Sequence, residues 1–132
     1  MPFELTWEAQ GVHRRYSGAV SIAERERSFD LICGDPRFDG LRYTLTDYLD
    51  VSDYEISETA TEEIAARHIA PMQINPRIVI AAVAADPRIV AAIEHFISLS
   101  FVAGPYRVFA TEQAARDWIA VRRPLAGPPR PR

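Results

Sequence analysis

The apolar positions of this chain fall into two periods, and one run has no polar position at all. Ile78 to Ala84 reads Ile-Val-Ile-Ala-Ala-Val-Ala between Asn75-Pro76 and Asp86-Pro87. A strand that is apolar throughout must be covered on both faces and flanked by neighbours, as the central strands of parallel sheets are. The Asp86-Pro87 that follows supplies an N-cap and a first helical residue, so this strand runs straight into a helix. That is half of a βαβ unit.

Strict alternation marks other strands. Phe3, Leu5 and Trp7 share one face of 3–8, and Gln10-Gly11 turns the chain back into Val12–Tyr16 as a hairpin. Ser21 and Glu24 have capping-box spacing ahead of a helix with Ile22, Phe29, Ile32 and Cys33 on one stripe, ended by Gly34. Leu41–Thr46 is predicted as the third strand, followed by an acidic loop from Asp47 to Ile56. Ser57 caps a second helix through about Met72, with Ile64, Ala65, Ile69 and Met72 inward and His68 on or beside the stripe. After the apolar strand, the helix from Pro87 faces Ile89, Val90, Ile93, Phe96 and Ile97 inward. Tyr106–Phe109 is a last strand, and Thr111 caps a final helix burying Ala115, Trp118 and Ile119.

The order ββαβαβαβα predicts one α/β domain over residues 1–121, with a mostly parallel five-stranded sheet and an antiparallel first strand. Glu4, Thr6, Arg42, Thr44 and Arg107 are expected on one sheet face, opposite the apolar set. Helices then cover one face mainly, and the other is partly polar and open, or used for self-association as a homodimer. Residues 122–132 form a Pro- and Arg-rich tail of disordered composition.

Composition narrows the function. All 15 basic residues are Arg, so no Schiff-base or P-loop lysine exists. Four Arg lie in the last eleven residues. The other 121 residues hold 11 Arg against 18 acids, a net of −7, which argues against nucleic acid as a partner. The single Cys33 cannot form an internal disulfide, no leader is evident, and no apolar run is long enough to span a bilayer; the expected compartment is the cytoplasm. Cys33 reads as a small core hydrophobe at the wrong end of its helix for a reactive thiolate.

Candidate chemistry is sparse. Asp47, Asp50 and Asp53 with Glu55 are spaced to gather around a hard cation, but calcium-loop spacing, its glycine and its closing Glu are missing, so no metal is expected. His68 with Asp47, Asp50 or Glu63 could make a general-base pair for a hydrolase or isomerase, but no nucleophile motif accompanies it. His13 and His95 have no such support either. Ser57 at a helix N-terminus suits a phosphate electrostatically, whereas Glu58, Glu62 and Glu63 oppose one. Tyr16, Tyr43, Tyr48, Tyr54, Phe101 and Tyr106 could line a groove for a lipid or other small apolar ligand, or simply fill the core and its rim. No glycine-rich phosphate cradle is present, and no cofactor is expected.

Several segments carry a family resemblance over about residues 1–120. They are Gly11-Val12 to Tyr16-Ser17-Gly18, Gly34-Asp35-Pro36-Arg37-Phe38, Leu45-Thr46-Asp47-Tyr48-Leu49, Asn75-Pro76-Arg77-Ile78, and Val108-Phe109 to Ala115-Arg116-Asp117-Trp118. Together they resemble the SpoIIAA-like (βα-superhelix) fold of STAS domains, and of small bacterial proteins described as related to the lipid-binding CRAL-TRIO domain. The resemblance implies a non-enzymatic module that binds a protein partner or a small apolar ligand. Anti-sigma-factor antagonists of this fold are phosphorylated in a D-S-S-G-like motif at a helix start. The corresponding stretch here, Asp47 to Ser57, is longer and more acidic and lacks that motif. The candidate ligand-binding residues are Asp47, Tyr48, Asp50, Tyr54, Ser57 and His68, near the C-terminal ends of the strands.

Overall fold

A computed structural model describes residues 2–99, 102 and 104–122. The N-terminal alternation forms β1 (Phe3–Trp7) and β2 (Gly11–Val20), an antiparallel pair closed by Glu8 N–H donating to the Gly11 carbonyl at 2.8 Å. Then come α1 (Ile22–Cys33), a 3-10 turn (Pro36–Gly40), β3 (Tyr43–Tyr54), α2 (Glu58–Arg67) and α3 (Ile69–Ile74). The chain ends in β4 (Val79–Val83), α4 (Pro87–Ser98), β5 (Tyr106–Phe109) and α5 (Glu112–Arg122). The strands lie in sequence order, with β2 to β5 parallel, as the element pattern predicts. Residues 123–132 of the predicted tail lie outside the described residues, and Arg122 closes α5.

All five residues of β4 are buried, between β3 and β5 edgewise and under helices on both faces. Ala82 packs with Ile89 and Ile93 of α4, whereas Val79, Ala81 and Val83 pack with Ala115 and Ile119 of α5. The middle of the sheet is β3, however, and β4 stands one place from the edge. The caps form as spaced: Ser21 and Glu24 satisfy each other's backbone donors, and Asp86 accepts from Arg88 N–H ahead of Pro87. Asn75, fully buried, donates from Nδ2 to the carbonyls of Phe38 and Leu41 at 2.8 and 2.9 Å, tying the 3-10 turn to the entry of β4.

Three expectations are corrected. The acidic segment after Thr46 continues β3 through Tyr54, paired with the second half of β2 across two irregularities. Between Arg15 and Ser17, β2 advances two residues while β3 advances three, and between Gly18 and Ala19 it advances one while β3 advances two. Each shift is a β-bulge that inserts an extra β3 residue and breaks the two-residue period used to recognise strands. Gly18, at φ 67°, supplies the left-handed backbone there. The helix expected from Ser57 to Met72 divides at His68, because Pro71 has no N–H for the Arg67 carbonyl, and Ile69 turns outward at 40% exposure. Finally, Thr44 belongs to the row Val12, Thr44, Ile80 and Tyr106 rather than to the polar face, since β3 buries both its faces and alternation cannot say which one meets the larger layer.

Helices α1 to α4 cover one face and α5 the other. The α5 face over β1 and β2 stays open, with Glu4, Thr6 and Arg15 exposed. Ile78, 1% exposed, packs with Val12, Phe38, Leu41 and Met72 beneath α1 and α3. Ile78→Ala is expected to lower unfolding free energy by roughly 2–5 kcal/mol in urea titration, the cost of removing a buried branched side chain and leaving a cavity.

Candidate ligand pocket

Beneath α1, α2 and α4 the otherwise apolar layer contains a polar cavity of about 40 Å³. Its floor is built by β2 and β3. Arg14 stands beside Thr46 in the ladder, and its Nε and Nη2 donate to Thr46 Oγ1 at 3.2 and 3.1 Å. Its Nη1 donates to Ser28 Oγ on α1 at 2.9 Å. Ser28 Oγ gives its single proton to the Arg25 carbonyl at 2.9 Å, so the Tyr16 hydroxyl, 2.8 Å away, must donate to it. Burial opposes the Arg14 charge, but the surrounding Tyr16, Tyr48, Tyr106 and Tyr54 act the other way and hold it above its ordinary value. The guanidinium is a permanent cation.

Tyrosines wall the cavity. The bulges turn the β3 period from two into three, so Tyr48, Val51 and Tyr54 all pack into the core under α4. Tyr48 lies 5.3 Å from Tyr16 and 5.6 Å from Tyr54 between ring centroids. Burial raises the hydroxyl pKa of Tyr48, Tyr54 and Tyr106, which keeps all three protonated as donors. Arg25 spreads over the Tyr54 ring at 4.5 Å and donates to the Glu55 carbonyl at 3.2 Å. His68 closes the opposite wall, stacked on Phe29 at 3.9 Å and edge-on to Phe96 at 5.0 Å. Its Nδ1–H donates to the Ile64 carbonyl at 2.8 Å. Burial pushes its pKa down to about 4, so the imidazole is neutral near pH 7.

Three of the predicted site residues, Tyr48, Tyr54 and His68, therefore meet at one cavity. The other three do not. Ser57 caps α2, accepting from Ala60 N–H at 3.2 Å. Asp50 is exposed on β3 opposite Ser17. Asp47 accepts from Leu49 N–H at 2.8 Å and is buried on the α5 face, across the sheet from His68. The His68–Asp47 pair needed for hydrolase chemistry is not assembled. The three-residue acid spacing reflects the bulged strand, not a cation loop. Arg14, Ser28 and Thr46 escaped the sequence reading. The one available signal was an Arg between Val12 and Tyr16, at an inward position of an alternating strand. Phe101 lies outside the described residues.

A second polar cluster lies under the N-terminus of α5. Arg116 donates to both oxygens of Glu8, at 3.0 and 2.8 Å, and to Glu112 at 2.8 Å; the Tyr43 hydroxyl also donates to Glu8. These bonds lower the pKa of Glu8 and Glu112, with the Arg116 hydrogen bond the largest cause for each. One ligand atom each from His13, Asp47 and Glu112 lies within 4.8 Å of the others, close enough to hold a divalent cation. Arg116 already supplies positive charge there, however, with Nη2 3.5 Å from His13 Nδ1. Gly11 belongs to this corner, since a Cβ would overlap the Tyr43 ring. Cys33 is no nucleophile: burial pushes its thiol up to about 11.

A wider groove of about 650 Å³ runs between α2 and α4, lined by Ile56, Thr61, Arg88, Ala91 and His95. Tyr54 and Ala92 line both it and the cavity. No helix among the described residues is long and apolar enough to cross a membrane.

This arrangement defines an α/β domain of the SpoIIAA-like fold. The chain superposes on the anti-sigma factor antagonist SpoIIAA in its unphosphorylated form with a TM-score of 0.61 and 14% identity, covering 89% of this chain and 96% of that one. It also matches an uncharacterized DUF3478-family protein with a SpoIIAA-like fold from Shewanella loihica PV-4, with a TM-score of 0.56, 12% identity and coverage of 89% and 91%. No family model and no curated protein matches the sequence. The kinship with CRAL-TRIO domains is not tested by either structure.

Two outcomes follow from the pocket. Ser28→Ala strips Arg14 and Tyr16 of a shared acceptor and is expected to cost about 2–3 kcal/mol in chemical denaturation. The His68 pKa is about 4 in the fold against an ordinary 6.5, so between the two the unfolded chain binds the extra proton. Stability from neutral His68 is present above pH 6.5 and declines as pH falls toward 4, by up to about 3 kcal/mol. His68→Phe should flatten that part of the stability–pH curve; an unchanged slope would show that His68 does not cause it.

Proposed function

We propose that this chain is a non-enzymatic binding domain. The cavity under α1, α2 and α4 holds a small ligand, and the adjoining α2–α4 groove meets a protein partner. One observation carries the reading: polar side chains from β2, β3, α1 and the His68 junction between α2 and α3 converge on one cavity in a layer that is otherwise apolar. Such convergence is the ordinary mark of a binding site. The partner half is supported by the groove, whose wall shares Tyr54 and Ala92 with the cavity, so an occupant of one is felt in the other. SpoIIAA, whose fold this is, is an anti-sigma factor antagonist, which fits a regulatory contact.

A carrier role for a lipid or other apolar ligand fits less well. A cavity of about 40 Å³ offers room for a few waters or a small polar group, not an acyl chain, and its walls are rich in hydroxyls and guanidinium. Self-association stays open to the exposed β1–β2 part of the α5 face.

Native mass spectrometry of gently purified protein tests the cavity, and Ala91→Arg tests the groove. The unaltered protein is expected to carry added small-molecule mass. It should also retain a stoichiometric partner from its own cell extract that Ala91→Arg loses with its fold intact. No added mass, together with no partner sensitive to Ala91→Arg, would end this reading.

A further inference from the structure

The geometry points to a small oxyanion, a carboxylate or an inorganic oxyanion such as phosphate, as the ligand of this cavity, bound to Arg14. The inference rests on the cavity being the ligand site proposed above and names what fills it.

The first observation is an unmatched charge. Arg14 has five N–H donors and makes three hydrogen bonds, so two donors are left over. Both acceptors, Thr46 Oγ1 and Ser28 Oγ, are neutral hydroxyl oxygens, and no described carboxylate forms an ion pair with it. Arg14 is part-buried and lines the cavity. A guanidinium withdrawn from water without an opposite charge is costly, and the Tyr16 ring, 5.2 Å from its Cζ, offsets only a fraction.

The second observation is the lining. The chain has more acids than arginines, yet two Arg and no Asp or Glu border this cavity. Arg25, the second cation, also bonds a carbonyl and stacks on Tyr54 instead of pairing with a carboxylate. Tyr48, Tyr54 and Tyr106 add protonated hydroxyls around the same space. His68 donates to the Ile64 carbonyl and is neutral, so it neither repels an anion nor supplies one. The site thus holds donors and positive charge without an internal anion, and the planar fork of Arg14 suits an oxyanion. The cavity, at about 40 Å³, fits a compact head group.

The test titrates ligand-free protein with sodium phosphate, sodium acetate or neutral acetamide at constant ionic strength, read by thermal unfolding and calorimetry. Phosphate or acetate should raise Tm saturably, the one that does so naming the source of the oxyanion, while acetamide should not. Arg14→Met should lose at least about tenfold in affinity, and Arg14→Lys, which keeps the charge but not the fork, should fall between. Without added anion, Arg14→Met should unfold at the same temperature as the unaltered protein or higher, whereas a purely structural Arg14 makes it unfold lower in every buffer. If Arg14→Met does not fold, Tyr48→Phe replaces it, with weakened anion binding expected. No saturable response to either anion, or equal responses from the unaltered protein and Arg14→Met, overturns the inference. Acetamide binding in that case preserves the cavity as a ligand site of another kind; no binding by any probe removes both.

Discussion

The pairing of β2 with β3 is the constraint from which the rest follows. It runs from Gly11↔Tyr43 to Val20↔Tyr54, and its two bulges both add residues to β3. Each bulge re-aims the side chains beyond it. Because of them, Tyr48, Val51 and Tyr54 enter one core at three-residue steps, while Asp50 and Asp53 between them stay in solvent. A regular ladder would carry residues 48, 50, 52 and 54 on one face, placing Asp50 and Ser52 inside. The acidic composition of this segment is tolerated only because the strand is irregular.

The same pairing sets Arg14 next to Thr46, and α1 brings Ser28 over both. Three neutral hydroxyls, from Thr46, Ser28 and Tyr16, then make one connected network around a cation. Arg14, Tyr16 and Ser28 each donate within it, while the cation has no carboxylate partner among the described residues. The sheet separates two electrostatic environments: cations and hydroxyls under α1, α2 and α4, and an Arg116–carboxylate cluster under α5. In the second, Arg116 is paired with both Glu8 and Glu112. On the other face, Arg14 and Arg25 line the cavity with no carboxylate beside them.

Tyr54 connects this interior to the surface. Its ring lies under Arg25, against Tyr48, and along the α2–α4 groove. Tyr54 and Ala92 line both the cavity and the groove.

The amino-acid sequence by itself determined the elements and their order. The apolar run of β4, the capping signals at Ser21, Ser57, Asp86 and Thr111, and the alternation of β1 are local features, and local physics is enough to read them. It also marked Tyr48, Tyr54 and His68 as candidates, since aromatic and titratable side chains announce themselves by type. Which of them share a site was decided only by the tertiary structure. The bulges in β3 come from pairing with a strand more than thirty residues earlier, and no short window of sequence contains both partners. Asp47 and His68 are near in sequence but separated by the sheet, and Arg14 and Ser28 are joined only once α1 folds across β2. Burial converts an ordinary strand arginine into the charge around which the pocket is built, and burial belongs to the assembled layers rather than to any residue.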